Sequence, residues 1–169
     1  QAGENPLAVG RFELGYLGIS HREAMVHQSS PARPDHLLKG WFAALETTLP
    51  SLHVLPTSSS CDKEISPLQN WLFHGAMLEG RAHPFFLYNP EAGQHWAQRF
   101  DFDGNSQIMN DWPENELSYQ EENGGQKSLS ANFTFADSAL LDHAYLSHFY
   151  TLSAGISDDI TITVSDYLA

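Results

Sequence analysis

Residues 24–56, AMVHQSSPARPDHLLKGWFAALETTLPSLHVLP, decide how this chain folds. Ala24, Met25 and Val26 form a short apolar run, expected as a buried strand. Residues 28–31 follow as a polar loop. Pro34 stands where a first helical position should be, and Asp35 favours the positive end of a helix dipole. Leu37, Leu38, Trp41, Phe42 and Leu45 then recur at helical spacing, which predicts a helix over 34–47. Leu49 and Pro50 end it, and 51–56 reads as a second short strand.

The pattern continues outward in both directions. Upstream, Phe12, Leu14, Tyr16, Leu17 and Ile19 suggest a helix ending near His21, although Gly15 and Gly18 weaken it. Downstream, 57–64 is a polar loop. Ser66 is a cap followed by Pro67, and Leu68, Trp71, Leu72, Gly75, Ala76 and Leu78 predict a helix over 67–80. Residues 84–88 read as a third strand, and 89–91 open a short helix containing Trp96. Strand and helix thus alternate three times. The fold expected is α/β: three layers, with a mostly parallel sheet between flanking helices.

The remainder differs in character. Residues 100–113 read as loop. Residues 116–121 and 126–131 flank Asn123, Gly124 and Gly125 and predict a β-hairpin, with Leu117 and Tyr119 on its covered face. Thr134 and Asp137 form a capping-box pattern ahead of a helix carrying Phe135, Leu140, Leu141, Tyr145, Leu146 and Phe149. Residues 160–164 alternate as a strand would, or as an extended segment leading to another domain. The organisation expected is an α/β segment over 1–99 and an appendage of loop, hairpin and C-terminal helix over 100–169, packed on the same domain.

Composition sets outer bounds. The chain has 169 residues, 21 acidic against 8 basic, for a net charge of -13. That balance argues against a general nucleic-acid binder, which needs a basic face to displace phosphate counterions. It argues equally against an anionic membrane surface. No apolar run approaches the ~20 residues of a membrane span. One cysteine, Cys61, excludes an internal disulfide framework and favours a cytoplasmic setting.

In an open parallel sheet, ligands bind beyond the carboxyl ends of the strands. Three loops qualify, and they carry Gln28, Ser29 and Ser30; Thr57, Ser58, Ser59, Ser60, Cys61 and Lys63; and Asn89. These are candidate ligand-edge residues, with no catalytic or metal-binding residue assigned. Asp101, Asp103 and Asn105 space oxygens like the start of a calcium loop, but Gly104 falls inside the triplet and Trp112 stands where the distal glutamate belongs. An Asp-Gly turn is expected instead. No Gly-x-Ser-x-Gly elbow surrounds the serines near Cys61. His74, Glu79 and His83 lack metal-ligand spacing, as do His143 and His148, so these histidines are read as helix-surface or capping residues. Trp41 and Trp71 are read as core. No Gly-x-Gly-x-x-Gly loop or Walker lysine is present.

The order of pieces carries a resemblance. Glu13-Leu14-Gly15, then the run from Ala24 to Ser30, resembles a stretch of the pyruvate:ferredoxin (2-oxoacid:acceptor) oxidoreductase family. Pro50-Ser51-Leu52 resembles that family's strand start. His83-Pro84-Phe85-Phe86-Leu87-Tyr88-Asn89-Pro90 resembles its aromatic strand ending in Tyr-Asn-Pro. Asp103-Gly104-Asn105, Asp111-Trp112-Pro113 and Thr134-Phe135-Ala136-Asp137 resemble a divergent branch of large multidomain proteins.

The resemblance implies the carboxyl-terminal half of a thiamine-diphosphate-binding domain. The family's Gly-Asp-Gly…Asn metal–diphosphate motif lies upstream of the matching region, so this segment is expected to hold no cofactor itself. Thiamine diphosphate, magnesium and iron–sulfur clusters would belong to a parent protein. The family's Pro-Cys falls here on Ser58 and Ser59, and its His-Gly near Lys63 and Glu64, so no catalytic residue is carried over. The expected function is therefore a domain of a 2-oxoacid:ferredoxin oxidoreductase-like protein, inactive alone, whose partners are other domains of a larger polypeptide or a partner subunit. The alternative is a non-catalytic α/β interaction module with a degenerate cofactor edge.

Overall fold

A computed structural model of the chain describes residues 13–57, 66–121, 124–142 and 145. The elements are α1 (Leu14–His21), β1 (Met25–Gln28), α2 (Pro34–Glu46), β2 (Ser51–Val54), α3 (Pro67–Glu79), β3 (Phe86–Tyr88), a 3-10 turn (Trp96–Arg99), β4 (Phe100–Asp101), β5 (Glu114–Gln120), β6 (Gln126–Asn132) and α4 (Phe135–Leu141). The chain is mixed α/β, with a four-stranded sheet in the order β2-β1-β3-β4 and a two-stranded sheet β5-β6. The expected segment at 160–164 and the loop serines near Cys61 lie outside the described residues.

The expectation of a mostly parallel sheet is corrected. β1 and β2 are parallel, pairing Val26 with Leu52 and His27 with His53. β3 runs antiparallel to β1, pairing Gln28 with Phe86 and Val26 with Tyr88, and β4 is antiparallel to β3. Two hydrogen bonds mark the entry to β3. Gln28 Nε2 donates to the Pro84 carbonyl at 2.8 Å, and His83 Nε2 donates to the Ser29 carbonyl at 3.1 Å. These bonds hold residues 83–84 at the carboxyl end of β1, where β3 begins before running back down the sheet.

The two faces of β1 are covered by different helices, because successive side chains alternate. Val26 faces α1. A Cβ at Gly18 would come 2.6 Å from Val26 Cγ2 and 2.9 Å from Leu52 Cδ2, so only glycine lets α1 sit this close. The glycine that weakens the helix in isolation is what seats it. His27 faces α2, where a Cβ at Gly40 would enter the His27 imidazole. α1 ends in a left-handed Arg22 whose N–H bonds the Ile19 carbonyl.

α3 begins as the sequence predicts. Ser66 accepts from the Gln69 N–H and Gln69 accepts from the Ser66 N–H, with Pro67 at the first position. α3 buries Phe73, His74, Ala76 and Leu78. Ala139 of α4 is buried beside them, and Phe73, Met77 and Ala139 line a shared crevice between the two helices. Thr134 and Asp137 form the expected capping box, with the Thr134 N–H donating to Asp137 Oδ2 at 2.6 Å. The deepest core is Met25, Val26, Leu78, Phe85 and Tyr88.

Three further expectations are corrected. Trp41 and Trp71 are not core: they are 44% and 51% exposed. Leu117 and Tyr119 are half exposed, because no described element covers that face of the hairpin. His74 and His83 are buried, not helix-surface residues.

Candidate functional site

The carboxyl end of β1 gathers the polar side chains that the sequence places at a ligand edge, but turns them inward. Ser29 and Ser30 are buried, and the Ser29 N–H bonds the Val54 carbonyl at 3.1 Å. Ser30 Oγ accepts from the Ala32 N–H at 3.2 Å, which closes the turn into α2. Gln28 is spent on Pro84. Ser29 Oγ lies 2.8 Å from His36 Nδ1, in the first turn of α2. His36 stacks on Phe85, with centroids 4.8 Å apart.

Asn89 does not join this edge. The reversed β3 carries it to the other end of the sheet, where its Oδ1 accepts from the Glu91 N–H at 2.9 Å. Ser58, Ser59, Ser60, Cys61 and Lys63 lie outside the described residues. Gln28 and Ser29 are engaged by Pro84 and His36, Ser30 closes the turn into α2, and Thr57 is exposed, so the described residues of this edge do not converge as a diphosphate cradle.

The Asp101–Asn105 turn is likewise self-contained. Lys39 Nζ lies 2.7 Å from Asp101 Oδ2 and 3.1 Å from Asp103 Oδ2, so an ammonium from α2 sits where a calcium loop would hold its ion. Asn105 is turned away to β3. It accepts from the Phe85 N–H at 2.8 Å and donates to the Phe85 carbonyl at 2.7 Å. The hydrogen bonds that Lys39 donates to Asp101 and Asp103 raise its pKa. Burial works against charge on Asp101, but its bonds to Lys39 and the Asp103 N–H hold it below the usual carboxylate value. Among the described residues, no three His, Cys, Asp or Glu side chains converge as a metal site.

What the sequence reading missed is a set of imidazoles packed between β1, β2 and α2, two of them buried. His27 is fully buried, and its Nδ1 lies 3.1 Å from Nδ1 of His53 on β2. The ring of His36 stands 5.1 Å from that of His27. Burial, reinforced by the other two imidazoles, lowers the His27 pKa from 6.5 to about 4. Burial also lowers His36 and His53. The signal in the sequence was positional: His27 and His53 occupy equivalent places in the two parallel strands.

Ser29 and neutral His36 resemble a nucleophile and its base, but both are buried and neither lines a neighbouring apolar groove. That groove, about 460 Å³, runs between α3 and the start of α2 and is floored by Trp71, Leu72, Gly75, Leu78 and Leu141. Its walls are apolar, with Arg33 and Glu79 paired at 3.3 Å on the rim. No helix among the described residues is long and apolar enough to cross a membrane. No protein-family model, curated protein or solved structure matches the chain.

Proposed function

We propose that the chain is half of an α/β domain in a 2-oxoacid:ferredoxin oxidoreductase-like protein, and serves there as a packing unit without chemistry of its own. One observation carries this reading. Leu38, Trp41, Phe42 and Leu45 form an i, i+3, i+4, i+7 stripe that α2 turns outward, with Phe42 61% and Leu45 81% exposed. The inner face of the same helix is His36 and Gly40. α1 repeats the inversion, burying Gly15 and Gly18 while Leu14, Tyr16 and Leu17 face out. Contiguous exposed apolar stripes mark contact surfaces.

Helices on opposite faces of β1 support the three-layer arrangement as part of this proposal. The covering partners are other domains of a parent polypeptide, or a partner subunit, in the cytoplasm. Thiamine diphosphate, magnesium and iron–sulfur clusters belong elsewhere in that parent, consistent with Gln28, Ser29 and Ser30 being engaged within the protein. The alternative, an interaction module outside any oxidoreductase, shares the stripe. An upstream Gly-Asp-Gly…Asn segment and cysteine clusters in the same open reading frame would separate the two.

The test uses the chain alone. Purified protein should bind a hydrophobic dye and self-associate with concentration in light scattering. Phe42→Ser combined with Leu45→Ser should lower both signals. A dye-silent monomer would overturn the packing reading. Tight, magnesium-dependent thiamine diphosphate binding in calorimetry would overturn the assignment of no chemistry.

A further inference from the structure

We propose that the His27–His53 imidazole pair is an acid-sensitive latch, holding α2 on the sheet while neutral and releasing it when protonated. The argument is one of hydrogen positions. His53 is part-exposed and His27 fully buried, with Nδ1 facing Nδ1 at 3.1 Å. One Nδ1 must carry a proton and the other must accept it. In the neutral pair, His27 donates from Nδ1–H, His53 accepts, and His27 Nε2 keeps a bare lone pair. That Nε2 is buried without a hydrogen-bond partner, against Gly40 of α2.

Adding a proton to either ring breaks this arrangement. A proton on His27 goes to Nε2. A proton on His53 occupies its Nδ1, which forces His27 to accept at Nδ1 and to carry its own hydrogen on Nε2. Both routes place an N–H at His27 Nε2, which has no hydrogen-bond partner, with α2 lying across it; the His36 backbone on α2 favours the added proton, but burial outweighs it. A buried unsatisfied donor beside new charge is costly, and moving α2 is how water can reach it.

The other groups facing this site do not compensate. From α2, His36 adds a third imidazole, and its Nδ1 is taken up by Ser29. Lys39 is cationic, and the carboxylates nearest it, Asp101 on β4 and Asp103 in the turn, are paired with it. Asp35 is exposed in the first turn of α2 and acts on His36 only over distance. His83, from the loop before β3, donates to the Ser29 carbonyl.

Hydrogen exchange on the full chain tests the latch. The drop of His27 from 6.5 to about 4 implies that the opening equilibrium of α2 rises about twenty-fold between pH 7 and pH 5. After correction for intrinsic exchange, α2 amides should lose about that factor of protection. Amides of α1 that exchange by local opening, which leaves His27 buried on the opposite face of the sheet, should hold theirs. His27→Met, which cannot titrate, should flatten the α2 response. Should that variant not fold, ¹³C-histidine titration of the unmodified chain decides the matter. The latch is refuted if α2 protection is independent of pH, if it falls in step with α1, or if His27 titrates near 6.5 while α2 stays protected.

Discussion

Gly40→Ala tests the seating of α2 most directly. The added Cβ would enter the His27 ring, well inside the 3.0 Å below which real Cβ contacts essentially never come. The ring cannot swing aside, because His27 is fully buried and held at Nδ1 by His53. The helix must lift or the imidazole must leave its rotamer, and so close an approach puts the cost in the upper part of the usual overpacking range, about 2–3 kcal/mol. Alanine returns ~1 kcal/mol of helix propensity, and here the clash exceeds it. We expect a net loss of about 1–2 kcal/mol in urea melts, or roughly 2–8 °C in Tm for a chain of this size. The control is His27→Ala, which opens a cavity. Combined with Gly40→Ala, the two should be less damaging than the sum of their separate effects, with a coupling of about 1 kcal/mol or more. A neutral or stabilising Gly40→Ala would refute the close packing of α2 on His27, and additive effects would show that the two positions do not touch.

Asn105→Ala strips both partners from the Phe85 backbone next to the core and should cost ~2 kcal/mol or more in a chemical melt. Lys39→Met removes an exposed ammonium and should change stability by no more than ~1 kcal/mol, an effect that fades with added salt in the same melts. Gly75→Ala should raise stability by ~0.5–1 kcal/mol, because nothing lies within 4 Å of the new methyl. Global stability should be flat above pH 6.5 and fall as pH drops toward 4. Unfolded His27 takes up a proton near 6.5 while the folded form resists until about 4, a difference of about 3 kcal/mol once fully expressed. Urea midpoints from pH 8 to pH 4 would check the sign.

Element positions were largely legible in the sequence because their signals are local. Pro34 and Pro67 at first helical positions, the Ser66 and Thr134 caps, and the glycines of the hairpin turn act within a few residues of themselves. Strand direction was not legible. It goes with Gln28 meeting Pro84 and His83 meeting Ser29, contacts between residues more than fifty positions apart. Alternation of strands and helices allowed either sense for β3, and these two hydrogen bonds accompany the antiparallel one. That direction carries Asn89 away from the edge assigned to it.

Helical periodicity has a deeper blind spot, and α2 exposes it. A stripe such as Leu38, Trp41, Phe42 and Leu45 says that one face of a helix is apolar, but not that the face turns toward this chain's own sheet. Here the sheet takes the opposite face, since His36 and Gly40 fit an imidazole-lined surface that bulky side chains would not. The buried histidines and the exposed stripe are therefore two consequences of one choice. A sheet face built from His27 and His53 demands a small, polar helix face over it, which leaves the apolar residues of that helix for something outside. Had β1 carried a valine in place of His27, the stripe could have turned inward and the surface would have closed. The close approach of Gly40 to His27 thus goes together with the outward turn of the α2 stripe.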